Sequence, residues 1–236
     1  MVAGLPYARE VFRQVDATLR FEALRDEGAR VAAGTAVARV AGRAASILLG
    51  ERTALNFLQH LSGIATYTSR CVRQAAGRCA VLDTRKTHPG LREAEKYAVR
   101  VGGGVNHRHR LDDGILIKHN HWRVAGGVRA SVRRARRLPK HGKALPVRVE
   151  VSTLADLREA LDAGADGVLL DNLSPRRIRR AMRLIQGRTF VELSGGIRQE
   201  TLARFASLRP DAVSLGALTH SARWKDFSLR LEKARS

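Results

Sequence analysis

Polar residues that can do chemistry recur directly after short apolar runs in this 236-residue chain. Each run has the length and apolar character of a strand that is buried on both faces, as the strands of parallel sheets are. The carboxyl ends of parallel strands in a barrel meet at one mouth, where reactive groups are found. The polar residues are Asp83, Thr84, Arg85 and Lys86; Lys118, His119, Asn120 and His121; Glu150; Asp171 and Asn172; Ser194, Gly195 and Gly196; and Gly216, Thr219, His220 and Ser221.

The residues of this expected mouth suit a phosphorylated sugar beside a small polyanion. Ser194-Gly195-Gly196 precedes a predicted helix, so its backbone amides can hold a phosphate at the helix amino end, and Gly216 offers a second such turn. Glu150 and Asp171 can accept hydrogen bonds from sugar hydroxyls or hold Mg²⁺. Basic side chains can bind carboxylates and phosphates; here they are Arg85, Lys86, His107, Arg108 and Lys118.

Each of these features also has an ordinary structural interpretation. A Gly-Gly pair before a helix is most often a turn, and Glu150 or Asp171 alone is more often a cap or an ion-pair partner. Residues 107–110 can be a solvated loop, and the arginine-rich stretches 133–137 and 176–180 are expected to be outer helix faces. The chemical interpretation is favoured because six separate strand ends agree.

Predicted strands and helices alternate through the second half of the chain. Thr153 with Asp156 resembles a capping box, and Ser174 precedes a proline at a helix start. The alternation predicts right-handed βαβ units in a parallel barrel or a doubly wound sheet. Residues 1–50 differ, because glycine-punctuated strands there follow a short helix, which indicates a small separate α/β domain. The predicted strands are 20–23, 36–41, 80–83, 114–117, 147–151, 167–172, 190–193 and 212–215, and the predicted early helices are 8–14 and 51–60.

The composition is globular but strongly basic. A hydrophobic fraction of 44% excludes a disordered or collagen-like chain, and no apolar run approaches the ~20 residues that span a bilayer. Cys71 and Cys79 match no disulfide or metal pattern and are expected to be buried thiols. No signal-peptide pattern is seen near the start, so a cytoplasmic location is expected. The net charge of +21 fits either a nucleic-acid binder or an enzyme for anionic substrates.

Motifs along nearly the whole chain resemble one family. Thr84-Arg85-Lys86-Thr87, followed by Gly102-Gly103-Gly104-Val105-Asn106-His107-Arg108, is a highly specific pair of motifs. With its other matching stretches, the chain resembles the quinolinate phosphoribosyltransferases, also called decarboxylating nicotinate-nucleotide pyrophosphorylases. Those stretches are 51–56, 61–66, 95–99, 116–118 with 120–121, 149–151, 170–172, 193–197 and 214–221.

The resemblance implies phosphoribosyl transfer with decarboxylation. Quinolinate attacks C1 of phosphoribosyl pyrophosphate through its ring nitrogen, pyrophosphate leaves, and the 2-carboxylate is lost as CO₂. The product is nicotinate mononucleotide, on the de novo route to NAD, and Mg²⁺ is expected with the pyrophosphate. Because both substrates are anionic, cations must neutralise them while C1 becomes cation-like.

The resemblance also implies a role for each site residue. Quinolinate would be bound by Arg85, His107, Arg108 and Lys118, and by Arg52 donated across the interface of a homodimer or a larger assembly. The phosphoribosyl group would be bound by Lys86, Glu150, Asp171, Ser194, Gly195, Gly216 and His220. The catalytic residues would be Lys86, Lys118, Glu150 and Asp171, of which Glu150 and Asp171 would hold Mg²⁺.

The implied fold is a small amino-terminal α/β sandwich domain followed by an open parallel α/β barrel of the type II phosphoribosyltransferase kind. The domains are expected at 1–58 and 59–221, with 222–236 packing back on the first. The family has a further segment ahead of Val2, so the first domain is expected to be truncated and to expose a sheet edge. A misassigned start codon or a weakly stable truncated protein would explain this. Two other departures are His119, where the family has an acidic residue, and Arg148, where it often has glutamate.

Three other functions stay open at this stage. A related barrel protein of molybdenum metabolism shares part of the pattern, although Asn106 and Lys118-x-Asn120-His121 favour the NAD-pathway enzyme. A degenerate, inactive homologue retained for dimerisation would fit the missing segment. A basic nucleic-acid-binding module would fit the charge, but only 5% of the residues are aromatic and no nucleic-acid-binding signature is present. We therefore expect no specific nucleic acid and no membrane as partners.

Overall fold

The computed structural model describes residues 1–138 and 145–232. The chain divides into two compact units, of which the first comprises Met1–Arg70, Lys86–Gly104 and Ala217–Ser236 and the second Cys71–Arg85 and Val105–Gly216. The domain boundaries predicted from the sequence stay predictions. The elements are α1 (Leu5–Val15), β1 (Arg20–Ala23), β2 (Ala38–Ala41), α2 (Ala44–Ala75), β3 (Ala80–Leu82), α3 (Arg92–Val101), β4 (Ile115–Ile117), α4 (His119–Val124), α5 (Val128–Ala135), β5 (Val147–Val151), α6 (Leu154–Asp162), β6 (Gly167–Asp171), α7 (Pro175–Ile185), β7 (Phe190–Ser194), α8 (Gln199–Ala206), β8 (Ala212–Ser214) and α9 (Ala217–His220).

The first unit packs helices against a two-stranded antiparallel sheet of β1 and β2. Its apolar core includes Phe12 of α1 and Leu58 of α2, and the half-buried Phe227 and Leu229 pack against it. The terminal segment is also tied down by hydrogen bonds, because Gln59 Nε2 donates to the carbonyl of Phe227 at 2.9 Å. These contacts hold residues near the carboxyl terminus against the core of the first unit.

Helix α2 is much longer than the helix predicted at 51–60. It begins before Gly50 and continues past Gly63, so both glycines lie inside the helix. An interior glycine costs only about 1 kcal/mol relative to alanine, and the buried face of α2 outweighs that cost. At Gly63 a methyl group would overlap the carbonyl oxygen of Arg223, so glycine serves close packing here and does not end the helix.

The second unit is built on a six-stranded sheet in the order β3-β8-β7-β6-β5-β4, with every pair parallel. Val105 adds a parallel bridge beside Leu82 of β3. Among the described residues no pairing joins β4 back to β3, so the barrel is open, as expected. All six predicted strands of this region are confirmed, with ends that differ by a residue or two. Among the described residues, no helix is long and apolar enough to cross a membrane.

The strand register places polar side chains in layers on one face of this sheet. Glu150 of β5 lies in register with Leu169 of β6, and Leu169 lies in register with Glu192 of β7. Two residues further along β6 and β7, Asp171 lies in register with Ser194. Because side chains alternate along a strand, these five residues point to the same face. The opposite face is apolar: along β5, Val147, Val149 and Val151 are all buried. The polar face is therefore the one that can receive a ligand.

Candidate active site

The carboxyl ends of the six parallel strands form one edge of the sheet, which we call the carboxyl edge. It gathers the predicted site residues of the second unit. Lys118 directly follows β4, Glu150 lies in β5, Asp171 ends β6, and Ser194 ends β7. Arg85 follows β3, His107 and Arg108 follow the Val105 bridge, Gly195 follows β7 and Gly216 follows β8.

A buried aspartate holds the segment that carries His107. Asp83 is fully buried, and its Oδ1 accepts the backbone N–H of His107 at 2.7 Å. Its other oxygen accepts the side-chain amide of Asn106 at 2.6 Å. Asp83, which begins the Asp-Thr-Arg-Lys-Thr motif, and the Asn-His-Arg of the second motif are thus joined directly. This contact places the two motifs side by side in the structure.

The hydrogen bonds around His107 define its tautomer. Its Nδ1 accepts the backbone N–H of Arg108 at 2.8 Å, so in the neutral ring the proton is on Nε2. That Nε2 faces Glu192 Oε2 at 3.4 Å. These two contacts orient the imidazole ring of His107 toward the polar face of the sheet.

Glu192 is the charged centre of the polar face, and sequence analysis missed it. It is 1% exposed and is contacted by His107 and by Arg148, whose Nη1 lies 3.4 Å from its Oε2. Burial alone would raise the pKa of Glu192, but the hydrogen bond and charge of His107, the hydroxyl of Ser214 and the charge of Arg148 lower it below its ordinary value. Glu192 is therefore ionised at neutral pH.

Arg148 and Lys118 each pair with a carboxylate on this face. The Arg148 guanidinium lies 4.2 Å above the ring of Phe190 while it pairs with Glu192. The ammonium of Lys118 lies 3.8 Å from Glu150 Oε2. Although His119 stands where the family has an acidic residue, Lys118 thus has an acidic partner in Glu150.

Arg108 presents a cation that is partly withdrawn from water. Its Nη1 donates to the carbonyl of Gly114 at 2.8 Å. Burial, followed by repulsion from Arg85, lowers the pKa of Arg108 below its ordinary value. An anion that binds between two guanidinium groups offsets their electrostatic repulsion. The pair of Arg85 and Arg108 is therefore suited to a carboxylate ligand.

The loop after β7 has the shape expected of a phosphate-binding turn. Gly195 and Gly196 have φ of +89° and +62°, in the left-handed region, and α8 begins three residues later at Gln199. The loop packs against its neighbour, since Asn172 N donates to the carbonyl of Ser194 at 3.0 Å. A methyl group on Gly195 would lie 2.7 Å from the backbone nitrogen of Asn172.

We expect Gly195→Ala to lower kcat/KM for the phosphate-bearing substrate by roughly 100-fold, because the loop must shift away from Asn172. Gly196→Ala is the matched control, since its methyl group would approach Asn172 only to 3.9 Å and its φ costs ~1–2 kcal/mol. Steady-state kinetics with the phosphoribosyl donor varied measures both. Equal effects of the two substitutions would contradict the close packing at Gly195.

Three predicted site residues belong to the first unit. Arg52 is exposed on α2, Lys86 is exposed in the segment before α3, and His220 ends α9. The carbonyl of Lys86 accepts the hydroxyl of Thr219 at 2.8 Å, which holds its segment against α9. The roles of Arg52, Lys86 and His220 stay predictions.

Two family models match the chain in succession. One, described as quinolinate phosphoribosyl transferase, N-terminal domain, matches residues 1–62, and the other, the C-terminal domain of the same protein, matches residues 64–230. This chain belongs to the quinolinate phosphoribosyltransferase family. The residues matched by the first model contain the antiparallel sheet, and the residues matched by the second contain the parallel six-stranded sheet.

Three relatives from the quinolinate phosphoribosyltransferase family match this chain over most of their own length. A protein of Bacillus subtilis named "Probable nicotinate-nucleotide pyrophosphorylase (carboxylating)" is 41% identical over 96% of this chain and 78% of its own. The solved structure of NadC from Streptococcus pyogenes is 45% identical, with a TM-score of 0.91 over 97% of this chain and 81% of that one. The nicotinate-nucleotide pyrophosphorylase structure from Francisella tularensis is 41% identical, with a TM-score of 0.89 over 94% of this chain and 79% of that one.

Glu192 escaped the sequence analysis, and Arg148 was noted there only as a departure from the family, because both lie inside strands and that analysis searched mainly the residues after strands. The available signal was alternation: Arg148 and Glu150 alternate with buried valines in β5, and Glu192 stands between Val191 and Leu193. A charged residue at every second position of a parallel strand indicates a polar inner face.

Proposed function

We propose that this chain transfers the phosphoribosyl group of phosphoribosyl pyrophosphate to quinolinate and releases pyrophosphate and CO₂. The product is nicotinate mononucleotide, so the reaction is a step of de novo NAD biosynthesis. The observation that carries the proposal is the gathering of Arg85, Arg108, Lys118, Glu150 and Asp171 at one carboxyl edge, in a chain of this family. The names of its relatives favour this reaction over one in molybdenum metabolism.

Quinolinate carries two carboxylates, and the cationic groups of the carboxyl edge suit both. Arg108 and Arg85 can bind one carboxylate of quinolinate. The exposed ammonium of Lys118 can leave its ion pair with Glu150 and bind the other carboxylate. Because Nδ1 of His107 accepts the backbone N–H of Arg108, its Nε2 can donate a hydrogen bond. Binding both carboxylates fixes the ring so that its nitrogen faces C1 of the sugar, which is a positioning effect.

The phosphoribosyl donor is placed by the loops after β6, β7 and β8. The turn at Ser194–Gly196 and the residue Gly216 offer backbone amides to the 5-phosphate. Glu150 and Asp171 point to the same face of neighbouring strands, where they can accept hydrogen bonds from the ribose hydroxyls. Their negative charges also favour the cation-like C1 that develops as pyrophosphate leaves.

The same two carboxylates fit a magnesium ion. Glu150 and Asp171 supply carboxylate oxygens at a partly exposed position, and Mg²⁺ binds through one or two carboxylates together with substrate phosphates. When bound, the ion neutralises charge on the leaving pyrophosphate. We propose Glu150 and Asp171 as its protein ligands.

The reaction balances without a redox cofactor. The bond between the ring nitrogen and C1 forms as the bond between C1 and the pyrophosphate oxygen breaks. When the 2-carboxylate then departs as CO₂, its bonding electron pair stays on C2, where the neighbouring cationic nitrogen stabilises it, and C2 takes up a proton. The surrounding cations serve binding and charge neutralisation.

We further propose a homodimer that works in the cytoplasm, with Arg52 of each chain completing the partner's quinolinate site. Its exposure on α2 leaves Arg52 available for such a role. The arginines at 133–137 and 176–180 are also exposed, as expected for outer helix faces. An Arg52→Ala protein mixed with a variant inactive at another site should regain activity if the sites are shared.

Incubation of the purified protein with quinolinate, phosphoribosyl pyrophosphate and Mg²⁺ tests the function. We expect nicotinate mononucleotide and CO₂ in equal amounts, and no product when nicotinate replaces quinolinate. The Arg134→Ala variant, altered at an exposed residue of α5, serves as the control for handling. Folded protein that makes no product would contradict the proposal and support the inactive homologue.

A further inference from the structure

A cluster of metal-ligand side chains lies in the first unit, and the proposed reaction does not use it. His60 is on α2, Glu95 is on α3, and His88 lies in the segment between Lys86 and α3. Nε2 of His60 lies 2.9 Å from Oε1 of Glu95, and Nδ1 of His88 lies 2.5 Å from the same oxygen. The three ligand atoms lie within 4.8 Å of one another. Two imidazoles and one carboxylate thus converge on one point.

Burial makes this convergence unusual for a chance surface cluster. Glu95 is fully buried and His60 is 6% exposed. The second oxygen of Glu95 accepts the backbone N–H of His88 at 3.2 Å, which fixes the plane of the carboxylate. The remaining ring nitrogen of His60, Nδ1, is buried and has no hydrogen-bond partner among the described residues. Hydrogen bonds within the cluster therefore leave the His60 ring only half satisfied, which costs free energy.

We propose that His60, His88 and Glu95 form a binding site for a divalent transition metal ion, with zinc as the preferred ion. Two imidazole nitrogens and one carboxylate oxygen are a donor set typical of zinc sites. Magnesium and calcium prefer oxygen ligands throughout, so this donor set disfavours them. The site uses none of the carboxylates proposed for magnesium, and all three of its ligands belong to the first unit.

The geometry needs only a small adjustment to receive the ion. Bonds of about 2.0–2.1 Å in a tetrahedral site place ligand atoms roughly 3.3 Å apart. The observed separations of 2.9 and 2.5 Å from Glu95 would open by less than an ångström, and the two histidine nitrogens, which lie within 4.8 Å of each other, would move together by at most about 1.5 Å. The side chain of His88 is 49% exposed, so solvent reaches the cluster and a water molecule can complete the coordination.

A bound ion would link three parts of the first unit: α2, α3 and the segment that carries His88. That segment also carries Lys86, two residues earlier, and Lys86 is a predicted phosphoribosyl-binding residue. Zinc would therefore stabilise the first unit against unfolding, because the ion binds only the folded arrangement. It would also limit the motion of the segment that presents Lys86.

Zinc titration of the full-length protein, first stripped with a chelator and then placed in competition with a chromophoric zinc indicator, tests the site. We expect one zinc ion per chain, and at least a tenfold loss of affinity in His88→Ala. His88 is half-exposed, so this variant should fold. The matched control is His109→Ala, which removes a histidine outside the cluster and should bind zinc as the wild type does. Cobalt in place of zinc should give the visible absorption of a four-coordinate site in the wild type and in His109→Ala, but not in His88→Ala.

Trp224 provides a second readout that does not depend on activity. Its ring lies 5.6 Å from that of His60, and the chain has only two tryptophans. In a Trp122→Phe background, zinc should change the emission of Trp224, and His88→Ala should abolish the change. The proposal is wrong if the wild type binds no zinc, or if His88→Ala and the wild type bind it equally. A pure hydrogen-bonded cluster would give those results.

Discussion

Replacing Arg108 with alanine should lower kcat/KM for quinolinate by roughly 100- to 1000-fold, which is the usual effect of removing one charge-stabilising donor from an active site. The side chain is partly withdrawn from water, its Nη1 is fixed by Gly114, and Arg85 repels it. An anion that binds to such a pair gains more than it would at an exposed arginine. Steady-state kinetics with quinolinate varied at saturating phosphoribosyl donor measures the loss.

Arg108→Lys separates charge from geometry. Lysine keeps the positive charge but cannot form two parallel hydrogen bonds to a carboxylate, so we expect an intermediate loss. Arg134→Ala is the matched control, since Arg134 is exposed on α5 and its loss should leave the kinetics unchanged. Arg108→Ala with the same kinetic constants as Arg134→Ala would remove Arg108 from the quinolinate site.

Glu192→Gln should lower the free energy of unfolding by about 3–5 kcal/mol at neutral pH, the usual cost of breaking a buried ion pair by removing one partner. The carboxylate is 1% exposed between His107 and Arg148, so its removal leaves the Arg148 guanidinium without its buried carboxylate partner. Urea unfolding followed by circular dichroism measures the change. Arg148→Met introduced together with Glu192→Gln should recover much of the loss, since the double variant leaves no unpaired charge.

The loss should depend on pH in a stated direction. The pKa of Glu192 is lowered in the folded protein from the ordinary 4.5, so its contribution to stability is fully present above that value. It is lost as the pH falls through the lowered folded pKa. The difference between wild type and Glu192→Gln should therefore shrink in acid. Glu22→Gln is the control, because Glu22 pairs with Arg39 at the surface and its change should cost less than about 1 kcal/mol at any pH. A Glu192→Gln protein as stable as Glu22→Gln would contradict the role of the buried charge.

The strand ends could be predicted because parallel strands leave a clear pattern. In the second half, apolar runs of strand length are followed at once by Glu150, Asp171 or Ser194. In the structure Asp171 and Ser194 end their strands, and Glu150 lies one residue before the end of β5. The capping box of Thr153 and Asp156 is confirmed, with Asp156 N donating to Thr153 Oγ1 at 3.1 Å. These signals depend only on residues close together in the sequence, so they can be interpreted without any knowledge of tertiary contacts.

Other features depend on contacts between residues far apart in the sequence. The bonds from Asp83 to the segment of His107 span 24 residues, and the cluster of His60 with Glu95 spans 35. No spacing rule anticipates either. The length of α2 also involves such a contact, because Gly63 inside the helix packs closely against Arg223, which is far away in the sequence.

A crystal structure of the protein with quinolinate tests most directly the proposal that the carboxyl edge is a receptor for this dicarboxylate. We expect the two carboxylates to contact Arg85, Arg108 and Lys118, with the ring nitrogen directed toward Glu150 and Asp171. Quinolinate bound elsewhere with these side chains uncontacted would contradict the proposed function at its base.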